Sequence, residues 1–290
     1  MKKNKFYFRQ IVGVLSLCIF LTGCSSDDSG DPETIEKRTV ITMQPPANGE
    51  VNWNDVKMVW NEEFSDPSKL NDIWTFETNN NSNPGTDGLQ VYREENVVIR
   101  GGLLKIYATE KEGIYTSARI SSKYAFKYGR IEISAKLPKN ETKGIWAKIG
   151  LLGDNLDTVG WPGSGEIDIM EYFTNSPKEI YNLIHSTTNN YLNGTLITSN
   201  SILDTAEEEF HAYGILWTDK YIKFYIDSPD NITFSFNRPT SATTENWPFD
   251  QPFFLLLHMV LGGQYGGEGI DPSTFPAIMD IDYIRVYHPR

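Results

Sequence analysis

The stretch Gly165-Glu166-Ile167-Asp168-Ile169-Met170-Glu171-Tyr172 limits what this chain can fold into more than any other. Three carboxylates share eight positions with apolar and aromatic residues. On a helix each residue turns about 100°, so acids at 166, 168 and 171 would point in three widely separated directions. On a regular strand Glu166 and Asp168 share a face, and Glu171 has the opposite parity. One extra residue at Ile169 and Met170, a β-bulge, restores the parity and puts all three acids on one face. The isoleucines and the tyrosine favour a strand, so a bulged strand is the expectation.

Two readings of such a face stand side by side. One is a solvated acidic surface, the ordinary place for charged side chains. The other is the chemistry of glycoside hydrolysis with retention. Like charges crowded along one face repel, and one pKa should rise. An ionised carboxylate can then attack an anomeric carbon while a protonated one gives its proton to the leaving oxygen, the two lying about 5–5.5 Å apart. A calcium loop would need acids at alternate positions and a glycine at its sharp turn, which this stretch lacks.

The first residues read as a targeting segment. Lys2, Lys3, Lys5 and Arg9 precede an apolar run over 11–21 that is short for a membrane span. Leu21-Thr22-Gly23-Cys24 then fits a bacterial lipoprotein signal, residues 1–23, with Cys24 the lipidated residue and the anchor to a membrane. The following Ser-Ser-Asp-Asp-Ser-Gly-Asp resembles the acidic export tags of surface lipoproteins in Bacteroides-like bacteria. The expected location is therefore the outer membrane, at the cell surface.

Removing that signal takes four basic residues and no acids, which moves the net charge from −12 to −16. So acidic a chain is unsuited to phosphate backbones, and no nucleic-acid partner is expected. A neutral polymer suits it better. The only cysteines are Cys18 and Cys24, so the exported chain is expected to hold no disulfide and its core must supply the stability.

Residues 24–52 are polar and acidic, with Pro45-Pro46 and Asn48-Gly49, and read as a flexible tether with at most one short strand at Thr39–Thr42. Residues 53–290 form the expected domain, long enough for one large all-β unit. A polar loop is expected over 79–88. Leu104, Ile106 and Ala108 alternate with polar residues, as do Ile131, Ile133, Ala135 and Leu137. Strands over 210–217 and 221–226 flank Thr218-Asp219-Lys220 as a hairpin. No segment sustains a helical period, and many short strands between turns favour a β-sandwich.

Ser164-Gly165-Glu166-Ile167-Asp168-Ile169-Met170-Glu171 resembles the active-site strand of glycoside hydrolase family 16 in its bulged E-x-D-x-x-E form. Tyr115-Thr116-Ser117-Ala118-Arg119-Ile120, Lys127-Tyr128-Gly129-Arg130, Trp247-Pro248-Phe249-Asp250-Gln251-Pro252-Phe253 and Asp282-Tyr283-Ile284-Arg285-Val286-Tyr287 are similar to that family too. The resemblance implies an all-β fold, a concanavalin A-like β-jelly-roll sandwich whose concave sheet forms the substrate cleft. It implies Glu166 as nucleophile, Asp168 as its assistant and Glu171 as acid/base. It places Trp146, Trp161, His185, Arg119, Gln264 and Tyr265 along the sugar cleft, with His185 bonded to the sugar or to Glu171. No cofactor is required for catalysis. A structural calcium is implied on the convex face, at Glu63, the backbone of Gly102, and Asp282. The protein is expected to be a monomer.

The chain also departs from the family. Gly144-Ile145-Trp146-Ala147-Lys148-Ile149-Gly150-Leu151-Leu152-Gly153 stands where laminarinases carry G-L-W-P-A-F-W-M-L-G, so a second tryptophan has become Gly150. Gly262-Gly263-Gln264-Tyr265-Gly266-Gly267 replaces G-G-N-W-G-G, and Tyr181 stands at the earlier histidine of H-G-T-I-H. A glycine at 150 is expected to open room for a substituent or a differently bent chain. The leading expectation is thus an endo-acting, retaining β-glycanase on β-1,3- or mixed-linkage β-glucan. A β-galactoside such as poly-N-acetyllactosamine of mucin O-glycans is the rival substrate. A non-catalytic surface glycan-binding lipoprotein is the rival class, disfavoured because a pure binder has no use for crowded carboxylates.

Overall fold

The computed structural model describes residues 37–45, 50–78 and 87–290. The signal, Cys24 and the first part of the tether lie outside the described residues, as do Pro46, Asn48, Gly49 and most of the polar loop at 79–86.

Among the described residues there are two antiparallel-rich sheets, one of eight strands and one of ten, neither closed into a barrel. In the eight-stranded sheet the order runs Thr39–Thr42, Arg119–Lys127, Phe253–Leu261, Ile145–Gly153, Glu166–Phe173, Glu179–His185, Ile197–Ile202, with Trp74–Phe76 also on Arg119–Lys127. The second sheet is centred on Gly129–Lys136 and the long strand Ala277–Pro289. The core lies between them. Leu104, Ile106 and Ala108 from one sheet and Ile120, Ile149, Ile167 and Leu257 from the other are fully buried in one cluster. The alternation read from sequence thus gives each strand its inward face. The hairpin at 218–220 also forms, joining His211–Trp217 to Tyr221–Ile226.

The tether needs correction. Thr39–Thr42 does form a strand, but it pairs in parallel with Arg119–Lys127 and extends the sheet. Met43 beyond it is 2% exposed, and Arg38 donates to Ser122 O and to Asp154. Trp53 is buried as well, its ring N–H on Tyr221 Oη at 2.9 Å. The folded unit therefore starts at Lys37 rather than at residue 53. Four extended residues supply enough backbone donors and acceptors to dock on an open sheet edge, whatever the polarity of the surrounding sequence.

Candidate active site

The acidic strand Glu166–Phe173 carries the expected bulge. Against Ile145–Gly153, Ile149 faces Met170 and Gly150 faces Asp168, so Ile169 has no partner. The other neighbour shows the same shift between Asp168 and Glu171. Ile167, Met170 and Tyr172 go to the core, and Glu166, Asp168 and Glu171 gather around the ammonium of Lys148. Gly165 starts the strand at φ 79°, and a β-carbon there would meet Pro248 Cγ at 2.7 Å. Only glycine takes that turn without strain.

None of the acids is solvated: Glu166 is 7%, Asp168 0% and Glu171 5% exposed. The solvated-face reading is excluded. Trp161 donates its ring N–H to Glu166 Oε2 at 2.7 Å. His185 lies opposite Glu166 on the next strand, yet its Nε2 sits 3.2 Å from Asp168 Oδ2. Of the two partners expected for His185, the sugar or Glu171, the second is replaced by Asp168, and the cross-strand partner of Glu171 there is Tyr181. A residue two positions along a strand shares its face, so His185 reaches the aspartate diagonally.

Lys148 is the residue that sequence reasoning passed over. It shares parity with Trp146 and Gly150 on the wall strand Ile145–Gly153, and it is 5% exposed. Its ammonium donates to Glu166 Oε1, lies 2.6 Å from Asp168 Oδ1 in an ion pair, and 3.7 Å from Glu171 Oε1. A lysine inside an otherwise apolar strand was the available signal. Glu166, Asp168 and His185 also offer three ligand atoms within 4.8 Å of one another. An ammonium already stands between the two carboxylates, where a metal ion would have to go.

These neighbours drive the two glutamates apart. Burial pushes the Glu166 carboxyl up, but the charges of Lys148 and His185, with the hydrogen bonds from Lys148 and Trp161, outweigh it and hold it well below the ordinary carboxylate range. Burial raises Glu171, the nearby Asp168 raises it further, and the more distant Lys148 does not cancel them. Burial works against a charged His185, yet Asp168 and Glu166 beside it lift its pKa above the usual value. At neutral pH the site holds an ionised Glu166 and a protonated Glu171. Such a pair has the protonation states that one nucleophile and one acid would need.

Aromatic rings border the cavity of about 300 Å³. Trp161 contacts Tyr191 at 5.1 Å, Tyr191 meets Tyr265 at 5.8 Å, and Tyr265 meets Trp146 at 4.9 Å. Tyr191 was not foreseen; it sits on the loop before Ile197–Ile202, 37% exposed. Trp146 is no open platform, being 6% exposed and stacked on Phe173 at 6.0 Å. Arg119 lines the cavity, tied by its Nε to Glu77 at 2.5 Å. Gln264 stands exposed outside the cavity lining, its backbone N–H on Asp87 Oδ1. His258, unassigned in the sequence, lies opposite Lys148 on Phe253–Leu261, held neutral by burial and by the charges of Arg119 and Lys148. His211 lies within hydrogen-bond distance of Thr205 and Asp227.

The room expected at Gly150 is not there. A β-carbon at that position would lie 3.0 Å from Lys148 Cε and 2.9 Å from Asp168 Oδ1. The lysine stem and the Asp168 carboxylate crowd the position where a side chain would begin. On the other sheet, both oxygens of Glu63 are held by Arg285 at 2.8 Å, in a two-pronged pair. With that carboxylate compensated, Glu63, Gly102 and Asp282 fit a hard cation poorly as they stand.

Known proteins match this arrangement. A beta-glucanase of Rhodothermus marinus is 38% identical over 250 residues, covering 80% of this chain and 85% of that protein. The crystal structure of a laminarinase from Flavobacterium sp. UMI-01 is 39% identical, covers 80% of this chain and 100% of its own, and superposes with a TM-score of 0.74. A keratan-sulfate endo-1,4-beta-galactosidase of Sphingobacterium multivorum is 26% identical over 305 residues, covering 99% of this chain and 68% of that protein. Glycosyl hydrolases family 16 matches residues 75–285. With its bulged acidic strand and oppositely shifted glutamates, the chain belongs to that family and is a retaining glycoside hydrolase.

Proposed function

We propose that this enzyme cleaves internal β-linkages of neutral β-glucan, β-1,3- or mixed-linkage, with Glu166 as nucleophile and Glu171 as acid/base. The observation that carries the reading is the bulge, which turns Glu171 to the face of Glu166 and leaves the two on opposite sides of their ordinary pKa. Glu166 attacks the anomeric carbon while Glu171 protonates the leaving oxygen. Glu171, now ionised, draws a proton from the water that releases the sugar. Trp161 and Lys148 fix the oxygens of Glu166, and His185 holds Asp168. The chemistry needs no cofactor.

Glucan is preferred to a β-galactoside for a physical reason. The galactoside reading rests on the changed aromatics, and at one of them, Gly150, a β-carbon would already meet Asp168 Oδ1 and Lys148 Cε. The keratan-sulfate-cleaving relative keeps the galactoside as the second reading. We further propose a lipid anchor at Cys24, a surface position on the outer membrane and a monomeric state; the basic start, the short apolar run and Leu21-Thr22-Gly23-Cys24 support the anchor. A calcium ion at Glu63, Gly102 and Asp282 would have to draw Glu63 away from Arg285.

Product analysis on laminarin, lichenan, agarose, keratan sulfate and mucin O-glycans tests the reading. A ladder of oligosaccharides from laminarin or lichenan is expected. Cleavage of keratan sulfate alone would transfer the enzyme to the galactoside reading, and no cleavage of any polymer would defeat both.

A further inference from the structure

Lysine is the least expected side chain on Ile145–Gly153, where every residue is buried. An ammonium there has given up its hydration, and such a charge persists only when paired. Lys148 meets three carboxylates, and they are the ones on the catalytic strand. Burial alone would drive its proton off, but Asp168, Glu166 and Glu171 together hold the charge more firmly than usual. Across the other edge of its strand stands His258, and the Trp146 ring lies 5.7 Å from its nitrogen. His185, Arg119, Tyr191 and Tyr265 complete the titratable and charged groups around the cavity.

We propose that Lys148 is a positioning residue of this hydrolysis, one counterion serving the catalytic glutamates in both half-reactions and admitted by the missing side chain at Gly150. The proposal rests on the roles given above to Glu166 and Glu171. In the first half-reaction a Glu166 oxygen bonds to the anomeric carbon, the bond to the leaving oxygen breaks, and the Glu171 proton goes to that oxygen. Negative charge passes from Glu166 to Glu171. In the second, a water oxygen bonds to the anomeric carbon, Glu171 takes the water's proton, and Glu166 departs as a carboxylate. The charge returns. Lys148 touches Glu166 and lies 3.7 Å from Glu171, so the charge travels between two groups already within reach of one ammonium. Little rearrangement is needed, which is the economy of a preorganised site.

Lys148→Met removes the charge and keeps much of the stem. Both glutamates then lose their counterion, and both should release their protons at higher pH. Carbon-13 NMR of the glutamate carboxyls in the full chain, assigned with Glu166→Gln and Glu171→Gln, reads the two midpoints without substrate. Each is expected to rise by about 1–3 pH units in Lys148→Met. The acidic and basic limbs of the activity profile should move upward together, which a loss of packing would not produce. Unmoved midpoints in the folded variant would overturn the proposal, and Lys148→Gln serves the same reading where Lys148→Met does not fold. An enzyme that cleaves no glucan defeats the functional reading instead, so the two failures are told apart.

Discussion

A β-carbon on Gly150 would stand 3.0 Å from Lys148 Cε. Two departures from the family pattern, two residues apart on one strand face, are therefore one change in space. Gly150→Trp alone should overpack the site and lower stability by about 1–3 kcal/mol. Combined with Lys148→Ala, which empties the space, it should recover part of that loss. Thermal melting of the single and double variants decides; a double variant no more stable than the single one would disconnect the two positions.

Glu166 and Glu171 should separate in their response to the leaving group. Glu171→Gln is expected to lose about 10²–10⁴-fold on glucan and much less on an aryl glycoside whose leaving group needs little protonation. Glu166→Gln should fail on both substrates. Equal residual rates of the two variants on the aryl glycoside would exchange or dissolve the roles.

The pH profile follows from opposite shifts. The roles proposed for the two need Glu166 ionised and Glu171 protonated, so activity should persist from below the ordinary glutamate value of about 4.3 to well above it. Stability divides the same way. Glu166, lowered in the fold, contributes stability above its unfolded pKa that is lost as pH falls through the folded one. Glu171, raised in the fold, favours the folded state below its unfolded pKa, and that contribution is lost as pH rises through its folded value. Glu171→Gln should thus gain on the wild type in Tm as pH increases; a constant difference across pH would contradict a buried, protonated Glu171.

Trp161 holds Glu166 Oε2 through its ring N–H at 2.7 Å. Trp161→Phe keeps most of the ring and removes the donor. A hydrogen bond to a charged group is worth about 1.5–3 kcal/mol, so kcat/KM should fall roughly tenfold or more. Steady-state kinetics with unaltered melting would place the loss in that bond, and an unchanged kcat/KM would deny the bond a role.

Much of this was legible in the sequence because parity along a strand is a local property. The acids at 166, 168 and 171 need one extra residue to share a face, and the structure puts it at Ile169. The alternation through Leu104, Ile106 and Ala108 fixed their burial for the same reason. What crosses between strands was harder to see. The partner of His185 depends on the diagonal reach from one strand to the next, and it proved to be Asp168. Lys148 was in view, but its carboxylates lie 18 and more positions away in the chain. Thr39–Thr42 was read as a strand, yet only an open edge on Arg119–Lys127 makes it part of the sheet.

The claim at the centre is that the bulge brings nucleophile and acid to one face of the strand, where they flank the bond to be broken in a glucan. Proton NMR of the reducing end first released from laminarin tests it directly. Attack by Glu166 and then by water inverts the anomeric carbon twice, so the β anomer should appear first and the α anomer only by mutarotation. An α anomer as the first product would contradict the account.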